Sequence, residues 1–282
     1  MEDIRFYTED GFHLAGTLFE STQGPAADGP VILISSATAV PRRFYRNFAQ
    51  YIADNGARAV LTYDYRGVGT RLTRAQSRKL RMSDWAVQDF PAAVRELRRR
   101  YREASLVGLG HSFGGQALGL SGVADKFARY MTISAGSGYL GFTREAARLW
   151  RGMNLVAYPL AFVLGRVPHW AGIGESLPFG AFNQWRRWCN SPDYFFSDPS
   201  VPQIVRFADV RTPMMAVGFE DDPWATRQSI EALMAWYAGT SIKLQWYTPQ
   251  EAGAPIGPFG FFRKEHKEFL WPHIADWLTH AR

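Results

Sequence analysis

The segment Gly110-His111-Ser112-Phe113-Gly114-Gly115 has the residue types and spacing of a nucleophile elbow. The apolar run 106–109 precedes it as a strand would, and residues 116–120 can continue it as a helix. In such a strand-turn-helix unit the serine occupies a strained turn, and the glycines keep side chains away from its hydroxyl. Because that hydroxyl is a poor nucleophile at neutral pH, it needs a base to accept its proton and an acid to orient the base.

The rest of the chain alternates between predicted strands and helices. A tight turn at Asp10-Gly11 joins the first two strands, and the third is apolar throughout, as expected of a strand buried on both faces. We predict strands at 4–8, 12–19, 31–34, 57–63, 106–109, 127–134, 213–219 and 242–247, and helices after Pro41 and at 83–101, 116–120, 226–237 and 268–280. An exposed, mobile basic loop is expected at 71–82. This order predicts an α/β-hydrolase fold, a mostly parallel doubly wound sheet with an inserted helical cap.

The insertion is predicted at 139–207, where the alternation stops and tryptophan, phenylalanine and tyrosine accumulate between proline and glycine breaks. Residues 1–138 and 208–282 would then form the core, and 139–207 a cap over the nucleophile. Aromatic lining suits a pocket for a small or medium apolar substrate. The alternative is that these aromatic side chains only attach the cap to the core.

Asp221 and Asp222 follow the strand at 213–219, where this fold places the acid of a Ser, acid, His order. We favour Asp222 because Pro223 and Trp224 follow it, and we expect Asp221 to bond the loop backbone. Both could instead be turn-forming residues. Asp64, which also follows a strand, is interpreted as a structural residue of a turn held by an Asp–Arg interaction.

The base should follow residue 247, where the only histidines are His266, His273 and His280. The last two lie seven residues apart on the final helix, which favours a structural or solvated role. His266 lies in a charged segment before that helix and is the candidate base. His111 is expected to support the oxyanion turn instead, because adjacent side chains in an elbow point apart.

The loop at 35–40 consists of small residues after the third strand, and in this fold it supplies one N–H of the oxyanion hole. We assign that donor to Ala37 or Thr38, with Phe113 N–H as the second. An ordinary strand-to-helix loop is the alternative.

Composition narrows the function classes for this chain of 282 residues and net charge +6. Arginine clusters could mark a nucleic-acid surface or a site for an anionic substrate, but no nucleic-acid motif accompanies them, so we expect no nucleic-acid partner.

One cysteine and six scattered histidines predict neither an intrachain disulfide nor a metal site. The longest apolar stretch is too short to span a membrane, and the N-terminus is unlike a signal peptide, so a cytoplasmic protein is expected. The sequence does not indicate an oligomeric state.

Five segments together resemble a little-characterised bacterial group of predicted α/β-hydrolases related to serine aminopeptidase-like and lysophospholipase-like hydrolases. They are residues 36–45, 64–69, 110–115, 219–226 and 260–263. The resemblance covers almost the whole chain and implies Ser112 as nucleophile, Asp222 as acid and no cofactor. It also implies a histidine in the pattern Gly-His-x-Gly-Phe-Phe-Arg, where this chain has Pro258. Proline cannot accept a proton. This departure from the pattern therefore bears on the reaction that the resemblance implies, and not on the fold.

Two hypotheses follow. The first is a serine hydrolase acting on an ester or amide, with His266 as a displaced base. The second is a protein of the same fold that no longer hydrolyses and instead binds a ligand or catalyses a lyase, isomerase or cyclisation step.

Overall fold

A computed structural model of the protein describes residues 1–24, 26, 28–70, 72–171 and 174–280. Its strands are β1 Glu2–Tyr7, β2 His13–Phe19, β3 Val31–Ser35, β4 Ala59–Tyr63, β5 Leu106–His111, β6 Arg129–Ile133, β7 Arg166–Val167, β8 Leu177–Pro178, β9 Met214–Phe219 and β10 Ile242–Tyr247. Eight of them form one sheet in the order β1-β2-β4-β3-β5-β6-β9-β10. β2 is antiparallel to β1 and β4, and the other neighbours are parallel. β7 and β8 form a separate antiparallel pair.

Helices cover both faces of this sheet. They are α1 Arg46–Asp54, α2 Arg74–Lys79, α3 Met82–Asp84, α4 Phe90–Arg100, α5 Phe113–Ser121, α6 Ala146–Arg151, α7 Tyr158–Leu164, α8 Phe179–Cys189, α9 Arg227–Met234, α10 Pro249–Ala252 and α11 Trp271–Thr279. Short π-helical turns at Trp85–Asp89 and Gly152–Ala157 continue α3 into α4 and α6 into α7. The core comprises two apolar clusters, one containing α4 and α5 side chains and the other α1 and α11 side chains. Because both faces are covered, β3 is buried along its whole length, which explains its uninterrupted apolar sequence.

The α/β-hydrolase fold predicted from the sequence is confirmed, and the eight strands of the large sheet lie within about two residues of their predicted bounds, whereas β7 and β8 were not predicted. The basic segment at 71–82 was predicted to be a loop, and this is wrong for most of it, because α2 forms there. Thr73 and Gln76 cap α2 reciprocally, and Ser77 is buried and donates its hydroxyl hydrogen bond to the Gly165 carbonyl. Arg71 lies outside the described residues.

The chain between β6 and β9 contributes no strand to the large sheet within the described residues. It contains α6, α7, α8, the β7–β8 pair and several 3-10 turns. None of the helices that the structure describes is long and apolar enough to cross a membrane.

Candidate active site

Ser112 connects β5 to α5 with φ 50° and ψ −113°, a backbone conformation that is rare for a residue with a side chain. Its N–H donates to the Ile133 carbonyl at 2.9 Å, and its own carbonyl accepts from Gly115 N–H at 2.9 Å. The residue borders a cavity of about 540 Å³. The strand-turn-helix context predicted for the elbow is therefore present, and it holds Ser112 at the cavity.

The elbow closes tightly because its glycines have no side chains. A Cβ on Gly110 would lie 2.3 Å from the Gly114 carbonyl carbon, and one on Gly114 would lie 2.2 Å from the Ser35 carbonyl oxygen. A Cβ on Gly115 would lie 2.5 Å from the Ala135 side chain. All three distances are below any normal contact, so the turn requires glycine at each position.

Of the two predicted oxyanion donors in the loop after β3, Thr38 is the one whose N–H makes no hydrogen bond to the described residues. The Ala37 N–H donates to the Tyr45 hydroxyl oxygen at 2.9 Å, so that amide is already occupied. The part of our prediction that named Ala37 as a donor therefore does not agree with this contact. Thr38 borders the cavity alongside Ser112.

His111 links this loop to the segment after β10. The Tyr45 hydroxyl oxygen accepts from Ala37 N–H, which leaves the Tyr45 O–H to donate to His111 Nδ1, 2.8 Å away. Nε2–H of His111 then donates to the Pro258 carbonyl at 2.8 Å. Burial lowers the pKa of His111 to about 4, although the bond to Pro258 acts in the opposite direction, so the ring is neutral at physiological pH. The ring supports the loop of the predicted oxyanion donors through Tyr45.

Asp222 also borders the cavity and is fully buried. Its Oδ1 accepts from Trp224 N–H at 2.8 Å and from Ala225 N–H at 3.0 Å. Its Oδ2 is buried and makes no hydrogen bond within the described residues, and the same is true of the nearby Ser134 hydroxyl. Burial raises the pKa of Asp222, and the two N–H groups and Ser134 oppose that rise.

The neighbouring Asp221 holds the loop backbone, as we expected of it. Its Oδ2 accepts from Ile256 N–H at 2.8 Å and its Oδ1 from Gly257 N–H at 3.0 Å. Asp64 bonds Arg42, through the Arg42 N–H at 2.7 Å and an ion pair with its guanidinium, and these contacts agree with a structural role. The prediction that the arginine of its own turn holds Asp64 is wrong, because Arg66 pairs with Asp10 and Asp89. The two adjacent acids after β9 therefore differ in their surroundings, because Asp221 bonds the loop backbone whereas Asp222 borders the cavity.

His266 is placed differently from our expectation for a displaced base. Its ring is completely buried, and Nε2–H donates to the Pro255 carbonyl at 3.2 Å. The ring also lies against Gly260 and is not part of the cavity wall. The described structure therefore does not bring His266 together with Ser112, because the ring supports the 255–260 loop instead.

Pro258 borders the cavity together with Ser112 and Asp222. The opposite wall is supplied by apolar residues of the segment between β6 and β9, and charged atoms at the rim come from the exposed Glu145–Arg148 pair. The further lining residues include Leu149, Met153, Val156, Ala157 and Trp185, the last stacked on Trp224. No group of three potential metal ligands comes together in the described part of the chain. A small or medium compound with an apolar group fits this arrangement.

Sequence reasoning missed Ser134 and Gln116, which also border the cavity. Gln116 donates to the Gly136 carbonyl at 2.8 Å and accepts from the Tyr194 hydroxyl at 3.3 Å. No sequence motif identifies either residue, because Ser134 reaches the cavity from the end of β6 and Gln116 from the first turn of α5.

Several solved structures share the fold at low sequence identity. An esterase from Pyrococcus furiosus, Pf2001, is 15% identical with a TM-score of 0.60, over 98% of this chain and 91% of that one. A soluble variant of monoglyceride lipase from Saccharomyces cerevisiae is 13% identical with a TM-score of 0.65, over 99% and 96%. DcsB in complex with its substrate analogue is 13% identical with a TM-score of 0.66, over 98% of both chains.

No curated protein sequence matches the chain. The alpha/beta hydrolase family matches residues 31–253, a region that includes the elbow, Asp222 and most of the sheet. The protein is therefore a member of the alpha/beta hydrolase family.

Proposed function

We propose that the protein acts on an ester or amide of a small to medium apolar compound, with Ser112 as the nucleophile. The observation that carries the proposal is the strained elbow, which holds Ser112 against a cavity that Asp222 also borders. Strain of this kind costs about 1–3 kcal/mol, and persists where the surroundings enforce it, commonly at a functional site.

Phe113 N–H and Thr38 N–H are the oxyanion-hole donors in this proposal. Phe113 is the first residue of α5, so its N–H has no partner within the helix. Thr38 is preferred over Ala37 because the Ala37 N–H is bonded to Tyr45. Two such donors would stabilise the negative oxygen that forms when Ser112 attacks a carbonyl. Residues 139–207 would act as the cap, since they supply the apolar wall opposite Ser112.

The base is the component that this site lacks in our proposal. Pro258 takes the position where the resemblance to related hydrolases implies histidine, and His266 is directed to Pro255 instead. His111 cannot replace it, because both of its ring nitrogens are bonded. The serine proton would then pass to water, and loss of one triad member typically slows hydrolysis by several orders of magnitude. We therefore expect slow turnover, with Ser112 reacting best with activated carbonyl groups.

A second candidate is a non-hydrolytic protein of the same fold that binds its ligand or catalyses a lyase, isomerase or cyclisation step. It is favoured by one observation, that Pro258 borders the cavity at the position where the resemblance to related hydrolases implies histidine.

Labelling with a fluorophosphonate, located by mass spectrometry, distinguishes these proposals. We expect slow labelling at Ser112 in the parent and in His266→Ala, no labelling in Ser112→Ala, and faster labelling in Pro258→His. If labelling is absent from the parent and appears only in Pro258→His, the non-hydrolytic candidate is supported. Loss of labelling in a folded His266→Ala variant would contradict our exclusion of His266.

A further inference from the structure

α6, the π-helical turn and α7 form one uninterrupted helical segment at 146–164 that has apolar residues both where it is buried and where it is exposed. Met153, Ala157 and Ala161 are buried against the rest of the protein. The surface that the segment leaves open, which we call the outward face, exposes Leu155, Val156, Phe162, Val163 and Leu164, each by 50% to 65%. A helix that is apolar all round is normally buried, so the outward face lacks the partner that its composition demands.

Two tryptophans flank the outward face. Trp150 precedes it on α6 and is 46% exposed, and Trp170 follows α7 and is 64% exposed. Tryptophan combines a large apolar ring with an N–H donor, and it is enriched where a protein meets the boundary between lipid and water.

The charge around the face is positive. Arg148 is paired with Glu145 directly before the helical segment, so the net positive charge comes from Arg151 and from the exposed arginines of α2 beside it. Arg74 and Arg78 both donate to the Phe162 carbonyl, at 3.4 and 3.3 Å, and the Arg78 guanidinium lies 5.4 Å from the Phe162 ring centre. An apolar face with a basic border fits an anionic lipid surface, whereas two copies of this chain would bring like charges together.

The outward face is continuous with the cavity. Val156 is exposed on the face and also borders the cavity that Ser112 borders. Val156 therefore joins the outward face to the cavity wall.

We propose that the outward face docks onto an anionic lipid bilayer, with the segment 146–164 lying in the plane of the interface. The segment is not a membrane-spanning helix, and a helix with apolar residues on one side and arginines beside them binds at the boundary between headgroups and acyl chains. This docking does not depend on whether Ser112 hydrolyses its ligand.

Co-sedimentation with vesicles tests the proposal directly. The full chain is mixed with phosphatidylcholine vesicles, with or without phosphatidylserine, and the bound fraction is measured against salt concentration. We expect binding only when phosphatidylserine is present, weakening as salt increases. The emission of Trp150 should shift to shorter wavelength on binding, and Trp150→Phe should remove that part of the shift.

Matched variants locate the docking face. Phe162→Ser with Val163→Ser should weaken binding about tenfold or more, because both side chains would enter the acyl region. Phe269→Ser with Val205→Ser is the control, since those residues are 56% and 74% exposed outside the helical segment. Equal binding by the two double variants would overturn the proposal. So would self-association of the parent that Phe162→Ser with Val163→Ser abolishes while vesicles remain unbound, because a second copy would then cover the face.

Discussion

His111 should make the stability of the protein sensitive to acid, and this prediction can be worked out in detail. The ring is buried and its neutral form is held by two hydrogen bonds, one from Tyr45 and one to the Pro258 carbonyl. Protonation at Nδ1 would place a second hydrogen against the Tyr45 hydroxyl, whose oxygen already accepts from Ala37. Folding therefore disfavours the charged ring, as its pKa of about 4 reflects.

The magnitude follows from the difference between the folded pKa of about 4 and the ordinary value of 6.5. Between those values the unfolded chain binds the proton and the folded chain does not, so the stability contribution falls as the pH decreases from 6.5 towards 4. At pH 5 this loss is about 2 kcal/mol relative to pH 8, and below both pKa values it approaches about 3 kcal/mol.

The assay is urea unfolding of the parent and of His111→Gln at pH 8 and pH 5. Glutamine can offer both an acceptor and a donor but does not titrate, so the parent should lose about 2 kcal/mol more than the variant between the two pH values. His273→Gln, at an exposed position, is the control and should behave as the parent does. Equal losses in the parent and His111→Gln, or an NMR titration of His111 near its ordinary pKa, would refute the reasoning.

Three further predictions concern packing and the loop. Gly114→Ala should abolish fluorophosphonate labelling and lower the free energy of unfolding, because its Cβ would lie 2.2 Å from the Ser35 carbonyl oxygen. Gly152→Ala is the control, since its Cβ would enter open space, and its free energy of unfolding in a urea titration should rise by up to about 1 kcal/mol. Asp221→Asn replaces one of the two oxygens that accept from the Ile256 and Gly257 N–H groups by a donor. The free energy of unfolding should fall by about 1–3 kcal/mol, and hydrogen exchange of the loop amides should be faster. Unchanged exchange would contradict these contacts. The Cys189 thiol is buried and its pKa is raised, so a disulfide reagent should modify it only after unfolding, and fast modification of the folded protein would contradict its placement.

The parts of the fold that sequence reasoning predicted are those with local patterns. β3 is uninterruptedly apolar because both of its faces are covered, and the elbow glycines are required by contacts of the turn itself. The missed helix α2 also had a local signal, since Thr73 and Gln76 have the spacing of a capping box. The basic residues of the segment 71–82 favoured a loop, but a helix can expose a basic face and still bury Ser77.

The contacts around the cavity could not be predicted in the same way, because they join distant parts of the chain. Tyr45 and His111 are 66 residues apart in sequence, and His111 and Pro258 are 147 apart. Whether an amide such as that of Ala37 is free depends on these partners. His266 was assigned from its position near the loop in sequence, but the direction of its ring is set by the short 3-10 turn in which it lies.

Backbone strain connects these contacts to function independently of the chemistry that we propose. Among the described residues, four that are not glycine have positive φ, namely Ala39, Ser112, Ser134 and Tyr194. The last three border the cavity, and Ala39 follows Thr38, which also borders it. Each such conformation costs about 1–3 kcal/mol. Strained residues of this kind commonly cluster at functional sites, and here they cluster around one cavity. The strain therefore favours a cavity that has a function, and in our proposal the lack of a histidine base limits how fast Ser112 reacts.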